Sequence, residues 1–248
     1  MEREGGPAQV VFAWLAHLYT AMGFVCAAGI AVLIVRGGDE SFRWAFLLMM
    51  IATAIDATDG WFARRARVKE VLPYFDGAAL DNLIDFQTYT TLPLLLIWRA
   101  GVLPDNLAWL LMLPLLASAY GFSQVNVKTA DGFFLGFPSY WNIVAFYLFA
   151  LHPAVWLSVA LIVTCSTLTF VPTPYLYATR GGPFSKTINI GAAIWFVALG
   201  CVLFGPEPQR RTIALVSLAY PVMYLALSTF IAVDRWSPRQ TRSATLRN

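Results

Sequence analysis

"DATDGWFARRARVKEVLPYFDGAALDNLID", residues 56–85, sets five aspartates and four basic residues between two stretches that otherwise read as lipid-facing helix. Ionisable residues are expensive in such surroundings and mark function by default. Both the fold and the chemistry turn on why they are there.

The surroundings are a membrane. The chain of 248 residues is 58% hydrophobic and 12% charged, with a mean hydropathy of +0.63, far from the roughly 25% charged composition of soluble domains. Apolar runs recur at about 9–35, 42–63, 76–98, 106–122, 138–151, 154–171, 187–204 and 211–233. Most approach the 20 residues that a spanning helix needs. The expected fold is an all-α, polytopic membrane bundle of about eight spans. A count of seven follows if the fifth and sixth runs, split only by His152 and Pro153, are one, and Pro114 interrupts the fourth.

The first run is longer than a signal-peptide core, which predicts a retained anchor. With the N-terminus inside, cytoplasmic segments hold twelve Lys and Arg against five outside, so both termini are expected in the cytoplasm. Residues 1–235 read as one transmembrane domain, and 236–248 as a basic tail lying against anionic lipid. Cys26, Cys165 and Cys201 each sit in a different apolar run, where a thiol behaves as a small hydrophobe.

Helical spacing groups the charges. Positions three, four, seven and eight apart share a face, so Asp56, Asp59, Gly60 and Ala63 form one stripe of the second helix. Gly77, Asp81 and Asp85 form one of the third. Counting at 1.5 Å per residue, Asp56 lies about 12 Å up from Arg64 and Asp85 about 15 Å from Phe75, which puts the carboxylates at matching depth. Four acids facing each other cannot all stay ionised in a low-dielectric site without a cation. Oxygen ligands with no histidine or cysteine beside them suit Mg²⁺ or Mn²⁺. Gly60, Ala63 and Gly77 then leave room for a bulky ligand, their alternative role being close helix packing. Structural pairing with Arg64, Arg65 or Arg67 accounts for one or two acids, not four. Asp76 is off the stripe and reads as a helix start.

Asp56-x2-Asp59-Gly60-x2-Ala63-Arg64, then twelve residues, then Gly77-x3-Asp81-x3-Asp85 resembles the signature of the CDP-alcohol phosphotransferases. The spacer departs from that family's usual eight residues. At twelve it is similar to the bacterial phosphatidylcholine synthase branch, as are the span count and "KTADGFFLGFPSYWN", residues 128–142. The resemblance implies a six-helix core, here about 9–175, with two added helices at about 187–233. It implies two ions of Mn²⁺ or Mg²⁺ held by Asp56, Asp59, Asp81 and Asp85, with Asp85 also the general base. Gly60, Ala63 and Gly77 would contact the cytidine nucleotide, and Arg64 would lie near its phosphates. The expected reaction passes the phosphatidyl group of CDP-diacylglycerol to choline, in a site open to the cytoplasm of a bacterial inner membrane, from a chain that is often a homodimer.

A quaternary ammonium is usually received by aromatic faces. Tyr140, Trp141 and Trp61, with Asn142 as a polar neighbour, are the choline candidates, each weighed against the interfacial belt where Trp and Tyr gather. Asp131 is placed either beside the ammonium or in a solvated loop. A phosphorylated acceptor would call for an Arg or Lys cluster, and the loop after the fourth run offers only Lys128. His17 is expected to be a hydrogen-bonded core residue and His152 a loop residue. "RGGPFSKT", residues 180–187, lacks the spacing of a phosphate loop and reads as a turn.

Three rivals remain. A serine acceptor would need a carboxylate receptor. An intramembrane prenyltransferase would use Asp81-x3-Asp85 but leave Gly60, Ala63-Arg64 and Gly77 unexplained. A cation carrier would use the same acids as ion sites, yet carriers show paired repeats and the charge cluster occurs once.

Overall fold

The computed structural model describes residues 6–124, 133–176 and 185–236, and every apolar run carries helix within them. Lys128, Asp131, Arg180 and the basic tail from residue 237 lie outside the described residues. Among the described residues, five helical stretches are long and apolar enough to cross a membrane: Pro7–Arg36, Asp39–Arg65, Asp105–Ser123, Lys186–Phe204 and Gln209–Phe230.

Helices α1 (Pro7–Arg36) and α2 (Asp39–Arg65) run antiparallel. They are joined by Gly37 and Gly38, whose φ of 73° and 85° suits glycine. The 30 residues of α1 span about 45 Å at 1.5 Å each, more than the roughly 30 Å of bilayer hydrocarbon. Its inner face is built from Ala13, Ala16, Thr20, Gly23 and Ala27, all buried, and its outer face exposes Leu15, Leu18, Val25 and Val32 to lipid. Small residues let helices approach where dispersion, not water exclusion, drives association. At Gly23 a Cβ would come within 2.5 Å of Cγ2 of Ile84, so the third rod docks directly on the α1 backbone.

That rod is α4 (Gly77–Asp85), a π-helical stretch over Phe86–Thr91, and α5 (Leu92–Arg99). The π register is visible in the Leu92 N–H, which donates to the carbonyl of Gln87, five residues back. Between α2 and α4 sits α3 (Val68–Val71), a single turn entered through Arg67 in the left-handed region at φ 53° and held by an Arg67–Glu70 ion pair.

The fourth run opens as 3₁₀ helix over Asp105–Leu111 and continues as α6 (Met112–Ser123). Pro114 sits in the first turn of α6, where a missing N–H is tolerated, so it does not break the span. The fifth and sixth runs are separate helices, α7 (Trp141–Leu151) and α8 (Val155–Leu168), turned by His152 in the left-handed region at φ 45°.

Read from sequence as one of about eight spans, α7 proves short and enclosed. It has 11 residues, about 16 Å of rise, and none of them is exposed. Trp141 is 0% exposed, its indole donates to Ser118 Oγ at 2.9 Å, and Phe146 and Phe149 pack on Phe46. A helix wrapped by protein need not match the bilayer's thickness.

Helices α9 (Ser185–Phe204), α10 (Gln209–Ser217) and α11 (Ala219–Trp236) complete the chain. Tyr147 on α7 receives the Trp195 indole N–H at 2.8 Å and shares a hydrogen bond of 2.8 Å with Ser217, pinning α9 and α10 to the core. The only strands among the described residues are β1 (Phe133–Leu135) and β2 (Pro174–Leu176), an antiparallel pair. Tyr224 of α11 holds it by donating to the carbonyl of Leu176 at 2.7 Å. Gly136 follows β1 at φ 82°, where a Cβ would meet the Thr169 carbonyl oxygen at 2.4 Å.

The close approach at Gly23 is testable. Gly23→Val should destabilise the protein by about 1–3 kcal/mol, the usual cost of overpacking. Thermal unfolding in detergent would read this as a lowered midpoint, and an unchanged midpoint would contradict the packing described.

Candidate active site

Three of the charges of residues 56–85 meet between α2 and α4. Asp76 starts α4 as its N-cap, its Oδ1 accepting from the backbone N–H groups of Ala78 and Ala79 at 3.0 Å each, in keeping with its off-stripe position. This fixes the phase of α4. One carboxylate oxygen from each of Asp56, Asp81 and Asp85 then lies within 4.8 Å of the other two. All three residues are half-buried.

These acids fit a divalent ion by chemistry and by reach. Oxygen ligands about 2.1 Å from Mg²⁺ lie at most about 4.2 Å apart, so closing the triad on one ion takes shifts of under 1 Å or so. Hard, oxygen-only donors of this kind suit Mg²⁺ or Mn²⁺.

Asp59, the fourth acid of the expected set, is one turn further along α2 and is not among the three that cluster. It is 8% exposed, and its Oδ2 accepts a 2.8 Å hydrogen bond from Thr20 Oγ1 of α1. Next to it, Tyr19 and Thr58 share a bond of 2.8 Å. The first helix therefore orients the acidic edge of the second, a contribution that spacing within residues 56–85 could not reveal.

The small residues divide. At Gly60 a Cβ would lie 3.1 Å from Nη1 of Arg64, so the guanidinium folds back over the glycine and the two expected nucleotide-binding positions sit together. Ala63 is half-buried on the same stripe. At Gly77, by contrast, the room a side chain would need is already filled: a Cβ would stand 2.6 Å from Cε1 of His17. Gly77 is thus first a packing glycine. His17 is in the core, 5% exposed, with its ring 4.5 Å from that of Phe75. It departs from expectation in that Nε2 has no hydrogen-bond partner among the described residues.

Of the four choline candidates, the structure keeps one aromatic face near the triad. Tyr140 is half-buried, with its ring centroid 6.1 Å from that of Tyr89, whose hydroxyl donates to Asp56 Oδ2 at 2.7 Å. Trp141 is corrected to a core residue, since its ring is inaccessible and its indole N–H is donated to Ser118. Trp61 is 55% exposed, with Arg65 lying over its ring at 5.9 Å. Five residues on from Asp56, it is rotated about 140° off the acidic stripe. Asn142 is a neighbour of a different kind, donating to Thr53 Oγ1 at 3.2 Å, one turn before Asp56.

Sequence patterning did not single out Tyr89. The signal was present, because Gly77, Asp81, Asp85 and Tyr89 repeat every four residues, but a tyrosine in an apolar run reads as belt or core.

No family model matches the chain. Individual relatives do. The chain is 35% identical to the phosphatidylcholine synthase of Legionella bozemanae over 206 residues, 79% of this chain and 94% of that one. It is 34% identical to that of Legionella pneumophila, covering 90% and 89% of the two chains. The phosphatidylcholine synthase of Pseudomonas aeruginosa gives 34%, covering 90% and 91%. Identity at that level along nearly the whole length, together with the acidic triad on the two motif helices, places the chain in the phosphatidylcholine synthase family.

Proposed function

We propose that the protein transfers the phosphatidyl group of CDP-diacylglycerol to choline, giving phosphatidylcholine and CMP, with Mn²⁺ or Mg²⁺ at the acidic site. The observation that carries this reading is the convergence of Asp56, Asp81 and Asp85 within 4.8 Å in a chain whose relatives are named for that product. In this reading Asp59 completes the ligand set for a second ion, and the site opens to the cytoplasm with both termini on the same side.

The substrate's diphosphate would bridge the acidic edge, with the cytidine end toward Gly60, Ala63 and Arg64. Divalent ions bound there would polarise the diphosphate and stabilise the leaving nucleotide. The choline oxygen forms a bond to the phosphorus bearing diacylglycerol as the bond from that phosphorus to CMP breaks, and the hydroxyl proton must go to a base. Asp85 is that base: it stands within the triad and sits deepest along α4. An alcohol is a poor nucleophile at neutral pH, and a positioned base contributes about 10²–10⁴ in rate. Tyr140, whose ring packs on that of Tyr89, is the aromatic face for the trimethylammonium group in this reading.

Detergent-solubilised protein supplied with CDP-diacylglycerol, Mn²⁺ and labelled choline or serine tests the acceptor. Label should enter lipid from choline; entry from serine alone would overturn the assignment. Asp85→Asn should leave the unfolding midpoint and CMP binding largely intact while turnover drops at least about 100-fold. An active variant would remove the general-base role. The mass of the solubilised particle would report whether the dimer implied by family resemblance forms.

A further inference from the structure

We propose that Tyr89 is a positioning residue for the metal site, its hydroxyl setting the orientation of Asp56. This inference rests on the reading of the triad as a divalent-ion site and adds a residue outside the acidic motif.

Three observations converge on Tyr89. Its hydroxyl donates to Asp56 Oδ2 of α2 at 2.7 Å from the π-helical stretch that follows α4, a short, charge-assisted bond. Such a bond restrains rotation of the carboxylate about its Cβ–Cγ axis. Second, Tyr89 lies within the π-helical stretch Phe86–Thr91. Each extra residue in a turn swings the rest of the helix by about 100° relative to a straight one, and π turns gather at functional sites. The irregularity is placed where a residue four beyond Asp85 has to reach back to Asp56. Third, the phenol is backed by packing that leaves it little freedom. The residue is 7% exposed, and Tyr140 lies against its ring at 6.1 Å. On the Asp56 side, Asn142 donates to Thr53 Oγ1 at 3.2 Å and Thr53 donates to the Met49 carbonyl at 2.9 Å. The helix turn that bears Asp56 is therefore tied to the start of α7.

A buried tyrosine needs some partner for its hydroxyl, and a purely structural role would be met by any acceptor. Choosing a triad carboxylate has a distinct consequence, because groups that orient metal ligands change metal affinity by about 10–100-fold when removed. Tyr89→Phe keeps the ring and its packing and deletes only the bond. Mn²⁺ binding to the purified protein without lipid substrates, followed by the loss of the free-ion electron paramagnetic resonance signal, should weaken at least about tenfold. The Mn²⁺ concentration for half-maximal activity should rise in step, while KM for choline stays within about twofold and the unfolding midpoint without metal is unchanged.

Equal Mn²⁺ affinity in Tyr89→Phe and the unaltered protein would overturn the inference alone. Failure of the unaltered protein to bind Mn²⁺ or Mg²⁺ would overturn the metal-site reading beneath it. A variant that does not fold would also overturn the inference, since the hydroxyl would then serve the fold and not the ion.

Discussion

The structure is organised around an electrostatic conflict: three carboxylates from two helices share a space 4.8 Å across inside an otherwise apolar bundle. Two unit charges at that distance repel by about 3.5 kcal/mol at an effective dielectric of 20. Three such pairs amount to about 10 kcal/mol, comparable with the entire net stability of a typical domain. A chain with no use for the cluster would lose little by replacing it. A divalent cation bound there would turn the repulsion into affinity, and the neighbouring hydrogen bonds hold the carboxylates in place. Helix α1 is stripped to small residues so that α2 and α4 can both lie on it. Asp59 is held by Thr20, and Asp56 by Tyr89.

Much of this was legible in the sequence because charge is rare in it. Against a background of 12% charged residues, aspartates spaced by three and four on two successive apolar runs point to their helix faces and to the approach of Asp56, Asp81 and Asp85. Asp76 as a helix start was equally readable, since an N-cap acts on its own next few residues. Local rules and a rare residue type suffice for such features.

What escaped depends on partners distant in sequence. Thr20 and Asp59 are 39 positions apart, Asn142 and Thr53 are 89 apart, and no periodicity links them. The two tryptophan candidates were hard to place for a different reason. Lipid and protein interior are about equally apolar, so hydropathy cannot tell a belt tryptophan from a buried one. Trp141 and Trp61 look alike as residues, yet one is 0% and the other 55% exposed. The same ambiguity made the 11-residue α7 read as a span. Gly77 had two readings because both demand the same absence of a side chain, and only the position of His17 separates them.

The spacer between Arg64 and Gly77 ties these threads to the family. Four residues beyond the usual eight would shift α4 against α2 if they entered either helix, because a face repeats only every 3.6 residues. The spacer instead carries α3 (Val68–Val71), a single turn between the two helices. Val68 and Val71 pack with Leu72 against Ala13 and Ala16 of α1, on the first helix's small-residue face. Asp76 then starts α4 as its N-cap. The spacer is seated on the same close face that α1 offers to the acidic helices. The helix that carries none of the triad's charges is thus the one that keeps them in register.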